Sequence, residues 1–167
     1  MIVVLDASAG VRLVVPGQAV GDEAVRVIEE ADRVVVPSLY GPEVANALWK
    51  YVTHNQIGPG DAVEMLQAAL ALADEVVETD LFLLAEALAE AGRFGHPVYD
   101  MVYVVLARHL GARLMTCDHR LARAAQILGT GVIFCTRGGE TVGTVLFVSV
   151  LRQTEPTLLC LSTCGVG

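Results

Sequence analysis

Positive charge is scarce in this sequence. Ten arginines and one lysine, Lys50, stand against 19 acidic residues, giving a net charge of −8. That excludes a protein holding nucleic acid by charge alone, because phosphate binding of that kind needs a basic footprint. Charged residues of both signs make up only 18% of the chain and hydrophobic ones 54%, which excludes a disordered chain. No apolar stretch reaches the roughly 18 residues of a membrane-spanning helix. The start, "MIVVLDASAG", has no basic leader region, and Asp6 interrupts its apolar run, so no secretory signal is expected. The four cysteines (Cys117, Cys135, Cys160 and Cys164) form no paired C-x2-C zinc pattern. A reduced, cytoplasmic protein without a membrane segment is the expectation. Ser-His-Asp and Cys-His arrangements for nucleophilic catalysis are also lacking.

What remains is one domain's worth of chain, 167 residues, in which apolar runs alternate with amphipathic segments. "MIVVLD" reads as a buried strand, followed by the weakly helical "ASAGVRLVV". Residues 21–32 place Ala24, Val27, Ile28 and Ala31 at helical spacing. "RVVVP" (33–37) is a second strand. Ser38 is positioned to cap a helix running to about Asn55, and Asp61 to cap another over 61–73. "EVVETD" (75–80) is a short strand or extended link, and 81–93 is helical. Pro97 opens a further helix that Gly111 stops. "ARLMTCD" (112–118) is a strand, residues 119–129 a helix, and "GVIFC" (131–135) a last strand. Strands that are apolar throughout and alternate with helices predict an α/β fold, with a mostly parallel sheet covered on both faces. Residues 136–167 break this style, with no clear helical period. We read 1–135 as the domain and 136–167 as an atypical C-terminal tail, to which no chemistry is assigned.

Four acids stand out, and each has a plain alternative. Asp6 follows the first strand, where it or Ser8 could merely cap a short helix. Glu43 sits near a helix N-terminus, where an acid favours the macrodipole by roughly 0.3–1 kcal/mol. Asp118 follows the strand "RLMTC" and is placed like an ordinary N-cap, with Thr116 two residues earlier. Asp100 is harder to dismiss. It is the one charge between Pro97 and Ala107, and its neighbours at i+3 and i+4 are Tyr103 and Val104. A buried carboxylate without a partner costs several kcal/mol or takes up a proton, so it needs donors, a cation or a metal. Arg108, two turns on, is the basic residue on a nearby face. Two acids at strand ends and two in helix first turns can meet at one sheet edge. Carboxylates sharing a site do not all stay ionised unaided, and hard Mg²⁺ or Mn²⁺ resolves this. Such a site suits phosphodiester hydrolysis.

Four blocks in order, "VVLDAS", "VPSLYGPEVANAL", "HPVYDMVYVVLARHLGARL" and "MTCDHRLARAA", resemble the PIN domain, specifically the VapC-like toxin ribonucleases. The resemblance spans about residues 1–135 and implies a three-layer α/β/α sandwich. It places Asp6, Glu43, Asp100 and Asp118 at the family's catalytic, metal-holding acids. Ser8, Asn46 and Thr116 fall at supporting positions. It further implies a Mg²⁺- or Mn²⁺-dependent endoribonuclease, RNA as substrate, a homodimer, and neutralisation by a small antitoxin protein. The tail departs from the family pattern, since these domains usually end near "GVIFC".

Arg12, Arg120 and Arg123 are candidates for RNA phosphate contact, with plain surface readings equally open. Lys50, Trp49 and His54 lie further along the Glu43 helix, whose exposed side could receive an antitoxin peptide. Trp49 more often serves as core. His96 and His119 are near the acids in sequence, and their bland reading is preferred over metal binding or proton transfer. Competing classes are a non-catalytic binding module of the same fold and an RNA-processing nuclease outside toxin–antitoxin systems. Phosphotransfer families fit worse. "DAS" follows the first strand where a phosphatase of the haloacid-dehalogenase type needs D-x-D, and a receiver domain needs a late lysine.

Overall fold

A computed structural model describes residues 1–18 and 20–135. The tail, 136–167, lies outside the described residues. The elements run β1 (Ile2–Leu5), α1 (Ala7–Val14), α2 (Asp22–Glu30), β2 (Arg33–Pro37), α3 (Tyr40–Thr53) and α4 (Pro59–Leu70). They continue with β3 (Glu75–Val77), α5 (Leu81–Phe94), α6 (Val98–His109), β4 (Arg113–Thr116), α7 (His119–Ile127) and β5 (Val132–Phe134).

The five strands form one sheet in the order β3-β2-β1-β4-β5, and every pairing is parallel. β1 is central because "IVVL" is apolar on both faces: Val3, Val4 and Leu5 have no exposed surface. Val4 pairs with Val35 on one side and Leu114 on the other. Helices α1, α3 and α4 pack together, as do α5, α6 and α7. Right-handed crossovers put these sets on opposite faces, since strand progress reverses after β3. The result is an α/β/α sandwich. The reversal lies between β1 and β4, and in open parallel sheets the crevice for ligands opens beyond the strand ends at such a point.

Helix α6 carries the longest unbroken run of buried residues among the described helices. Met101 through Ala107 are all inside, which accounts for the apolar run around Asp100. Among the described residues, no helix is long and apolar enough to cross a membrane.

Three local expectations are corrected. Ser38 does not cap α3. Its hydroxyl donates to Thr79 Oγ1 at 3.0 Å and accepts from the Thr79 N–H at 3.1 Å, tying the end of β2 to the segment after β3. Asp61 is not a cap either, because Pro59 opens α4. Asp61 sits inside the first turn, where its carboxylate accepts from the Gly58 N–H at 3.3 Å. Trp49 is not core: it is 58% exposed, since the buried stripe of α3 passes through Tyr40, Val44 and Leu48 instead.

Candidate active site

The residue after β1 is Asp6, held in the ladder by its N–H, which donates to the Met115 carbonyl at 3.0 Å. Its side chain does not cap α1. It is 6% exposed, and Oδ2 accepts from the Ser8 hydroxyl and from Thr116 Oγ1 at 2.7 Å. Ser8 also accepts from the Cys117 N–H at 3.0 Å, and Thr116 Oγ1 from the Asp118 N–H at 3.0 Å. Ser8 and Thr116 therefore bind the ends of β1 and β4 into one polar junction around Asp6. Asp118 does cap α7: Oδ1 accepts from the N–H groups of Arg120 at 2.7 Å and Leu121 at 3.2 Å. Capping and presence in the cleft are not alternatives here.

Glu43 comes from the first turn of α3. Its Oε2 accepts a hydrogen bond from the Tyr103 hydroxyl at 2.6 Å, and Tyr103 is fully buried on α6. Tyr103 sits one turn after Asp100, so a single helix supplies one acid and orients another. It was not among the residues singled out from sequence, although the i+3 spacing from Asp100 was visible there. The Asp100 carboxylate, 30% exposed at the side chain, is bonded to His96 Nδ1 at 3.2 Å, and that imidazole is 5% exposed. Arg108 does not serve Asp100. It pairs with Glu86 and, at 3.3 Å, with Glu90, both on α5.

All four acids line one cleft of about 390 Å³ at the carboxyl end of the sheet, together with Ser8, Arg12, Asn46, Lys50 and Tyr51. Arg12 faces it from α1. Asn46 and Lys50 follow Glu43 by three and seven residues, the spacing of one helix face. The sequence places Lys50 further along the Glu43 helix without assigning it to the acidic site, and it lines this cleft. Thr116 supports the cleft from beneath. Arg120 is set beside Asp100, with its guanidinium donating to the Gly95 carbonyl at 3.3 Å. Arg123 is exposed on α7 and does not line the cleft. His119 stacks on Phe134 at 4.1 Å, outside the cleft lining.

The acids act on one another. Burial, foremost, pushes the Asp6 carboxyl above its ordinary value. The Ser8 and Thr116 hydrogen bonds oppose this, and the charge of Asp100 adds to it. Burial also raises Glu43, against the pull of the Tyr103 hydrogen bond, with Asp6 and Asp100 adding repulsion. Burial raises Asp100, opposed by His96 and by Arg120, while Asp118 repels it. No Arg or Lys forms a salt bridge with any of the four, among the described residues. The acids line a common cleft without closing on one point: among the described residues, no group of three His, Cys, Asp or Glu side chains is arranged to hold an ion. In donor chemistry the set still fits a hard divalent cation. It is all oxygen, electrostatically frustrated, and, among the described residues, without an Arg or Lys salt bridge.

A family model for the PIN domain matches residues 3–127. The chain belongs to the PIN-domain family. Among curated proteins it is 34% identical over 131 residues to ribonuclease VapC3 of Pyrobaculum aerophilum, covering 78% of this chain and 99% of that one. It is likewise 34% identical over 125 residues to ribonuclease VapC9 of Mycobacterium tuberculosis, covering 74% of this chain and 91% of the relative. The crystal structure of PAE2754 from Pyrobaculum aerophilum superposes with a TM-score of 0.62 at 25% identity, over 79% of this chain and 83% of that one. This PIN domain thus carries its acids at the switch point of a parallel sheet, and its polar junction and tyrosine hold two of them in place.

Proposed function

We propose that this PIN domain is a divalent-metal-dependent endoribonuclease, the toxin of a toxin–antitoxin pair. The observation that carries this reading is the convergence of Asp6, Glu43, Asp100 and Asp118 on one cleft. The names of the VapC relatives support RNA as the substrate. Residues 1–135 form the nuclease unit and 136–167 an appended tail.

The four carboxylates would hold Mg²⁺ or Mn²⁺, which when bound supplies an activated water and neutralises charge on the phosphodiester. The chain's own residues do the positioning. Ser8 and Thr116 fix Asp6, Tyr103 fixes Glu43, His96 restrains Asp100, and two backbone N–H groups fix Asp118. Arg12 and Lys50, on the helical wall of the cleft, offer positive charge to the RNA backbone in an otherwise acidic molecule. A homodimer and a small antitoxin partner complete the proposal. The exposed Trp49 side of α3 is a surface such a partner could use.

The test is cleavage of structured RNA with Mn²⁺, comparing the wild type with Asp100→Asn. Loss of cleavage in the variant is expected, and equal activity in both sinks the carboxylate mechanism. A second reading, a binding module without catalysis, is favoured by the absence of a ready three-ligand group among the described residues. Calorimetry showing no heat of binding at millimolar Mn²⁺ would select it. A short neighbouring reading frame for a DNA-binding antitoxin distinguishes a toxin from an RNA-processing nuclease outside such systems.

A further inference from the structure

Two thiols stand beside the acidic cleft and take no part in the chemistry above. Cys117 follows β4 and lies between Thr116, which donates to Asp6, and Asp118. Cys135 follows β5. The β4–β5 ladder pairs Thr116 with Phe134, so the next pair in register is Cys117 with Cys135. The ladder continues to that point, since the Cys135 N–H donates to the Thr116 carbonyl at 3.0 Å. Partners in register on parallel strands point to the same face and are about 4.8 Å apart along the hydrogen-bonding direction. That separation falls within the range a disulfide spans. The two thiols are free and next to each other in register. Cys135 is 1% exposed, whereas Cys117 is half-buried and open to a small reagent.

We infer that Cys117 and Cys135 are a redox modification site, closed into a cross-strand disulfide by a low-molecular-weight aliphatic disulfide. The Cys117 sulfur attacks one sulfur of the reagent, breaking its S–S bond and releasing one thiol. The Cys135 sulfur then attacks Cys117 in the mixed disulfide, breaking that bond and releasing the second thiol. The protein loses two hydrogens, which leave on the two reagent thiols, and the reagent is reduced as the protein is oxidised. In a reducing compartment such a pair is transient and regulatory rather than structural.

The position gives the bond a consequence. The Cys117 N–H donates to Ser8, and Ser8 donates to Asp6. Drawing the Cys117 side chain onto Cys135 pulls the 116–118 segment that joins Asp6 to Asp118. A displacement of about 1 Å at such a site costs on the order of a hundredfold in rate. This consequence rests on the proposed nuclease reading, but the cross-link itself does not.

The experiment treats the full chain with oxidised glutathione, blocks free thiols with N-ethylmaleimide, and maps the peptides by mass spectrometry. RNA cleavage is measured on the same samples. The expected product joins the Cys117 and Cys135 peptides and is reversed by dithiothreitol. Cleavage should fall by about ten- to a hundredfold and return on reduction. In Cys135→Ser, basal cleavage persists and glutathione stays attached to Cys117. Alkylation of both cysteines overturns the site, as does a bond from Cys117 to Cys160 or Cys164. A cross-link that forms without slowing cleavage overturns its regulatory role and leaves the nuclease reading standing. If the reduced protein does not cleave RNA, the nuclease reading has failed, while the peptide map still decides the cross-link.

Discussion

Replacing Tyr103 with Phe removes one oxygen from the core and leaves the Glu43 carboxylate without its donor. The bond is short, 2.6 Å, and its donor is fully buried, which places it among the charge-assisted hydrogen bonds. Bonds to charged groups contribute about 1.5–3 kcal/mol. Glu43 is half-buried, so water recovers part of the loss, and the lower end, about 1.5 kcal/mol, is the expectation. Denaturant unfolding near neutral pH measures it, as a lower midpoint at unchanged slope. A double-mutant cycle with Glu43→Gln isolates the pair, and about 1 kcal/mol of coupling is expected between contacting groups. Because Tyr103 orients Glu43, cleavage should slow by about tenfold, the kinetic equivalent of 1.4 kcal/mol. A Tyr103→Phe protein as stable and as active as the wild type would refute the assignment. So would additive effects in the cycle, which would mean the two groups do not depend on each other.

Two further outcomes follow from the cleft and from the helical layer behind it. Asp6 has a folded-state pKa raised above its unfolded value, so its contribution to stability is complete below the ordinary carboxyl range. It is lost as pH rises through the raised value. In metal-free buffer, the thermal midpoint of Asp6→Asn should therefore gain on the wild type as pH increases from about 4 towards neutrality. A gap that stays flat or narrows contradicts the burial argument. In the helical layer, a methyl group at Gly10 would collide with the Tyr40 hydroxyl, which is held by its hydrogen bond to the Ala69 carbonyl at 3.1 Å. Gly10→Ala should cost about 1–3 kcal/mol in chemical denaturation despite its better helix propensity. Adding Tyr40→Phe should return part of that loss.

The fold was readable because β1, β2 and β4 are apolar runs and a helix carries a clear stop at Gly111, in the left-handed region. The acids were readable because a carboxylate inside "VYDMVYVVLA" contradicts its surroundings. What sequence could not show was which neighbour answers each charge. Asp100 is met by His96, four residues earlier and across a proline, rather than by Arg108, which α5 had already engaged. Ser38 looked like a cap because serine before a helix usually is one, yet its partner, Thr79, is on the segment after the neighbouring strand. The Tyr103–Glu43 bond joins residues 60 apart, and the thiol pair depends on strand register. Local pattern fixes neither, because both depend on how distant segments pack.

The hydrogen bond from Thr116 to Asp6 spans 110 positions of chain. β1 is flanked in the sheet by β2 and by β4, the latter more than a hundred residues later. Contacts of such long sequence separation form late and slowly. During synthesis, a chain released or stalled before β4 has an unsupported Asp6, no Asp118 and no second wall to the cleft. Whatever chemistry this cleft performs is thereby withheld from the nascent polypeptide until β4 and Asp118 have been made.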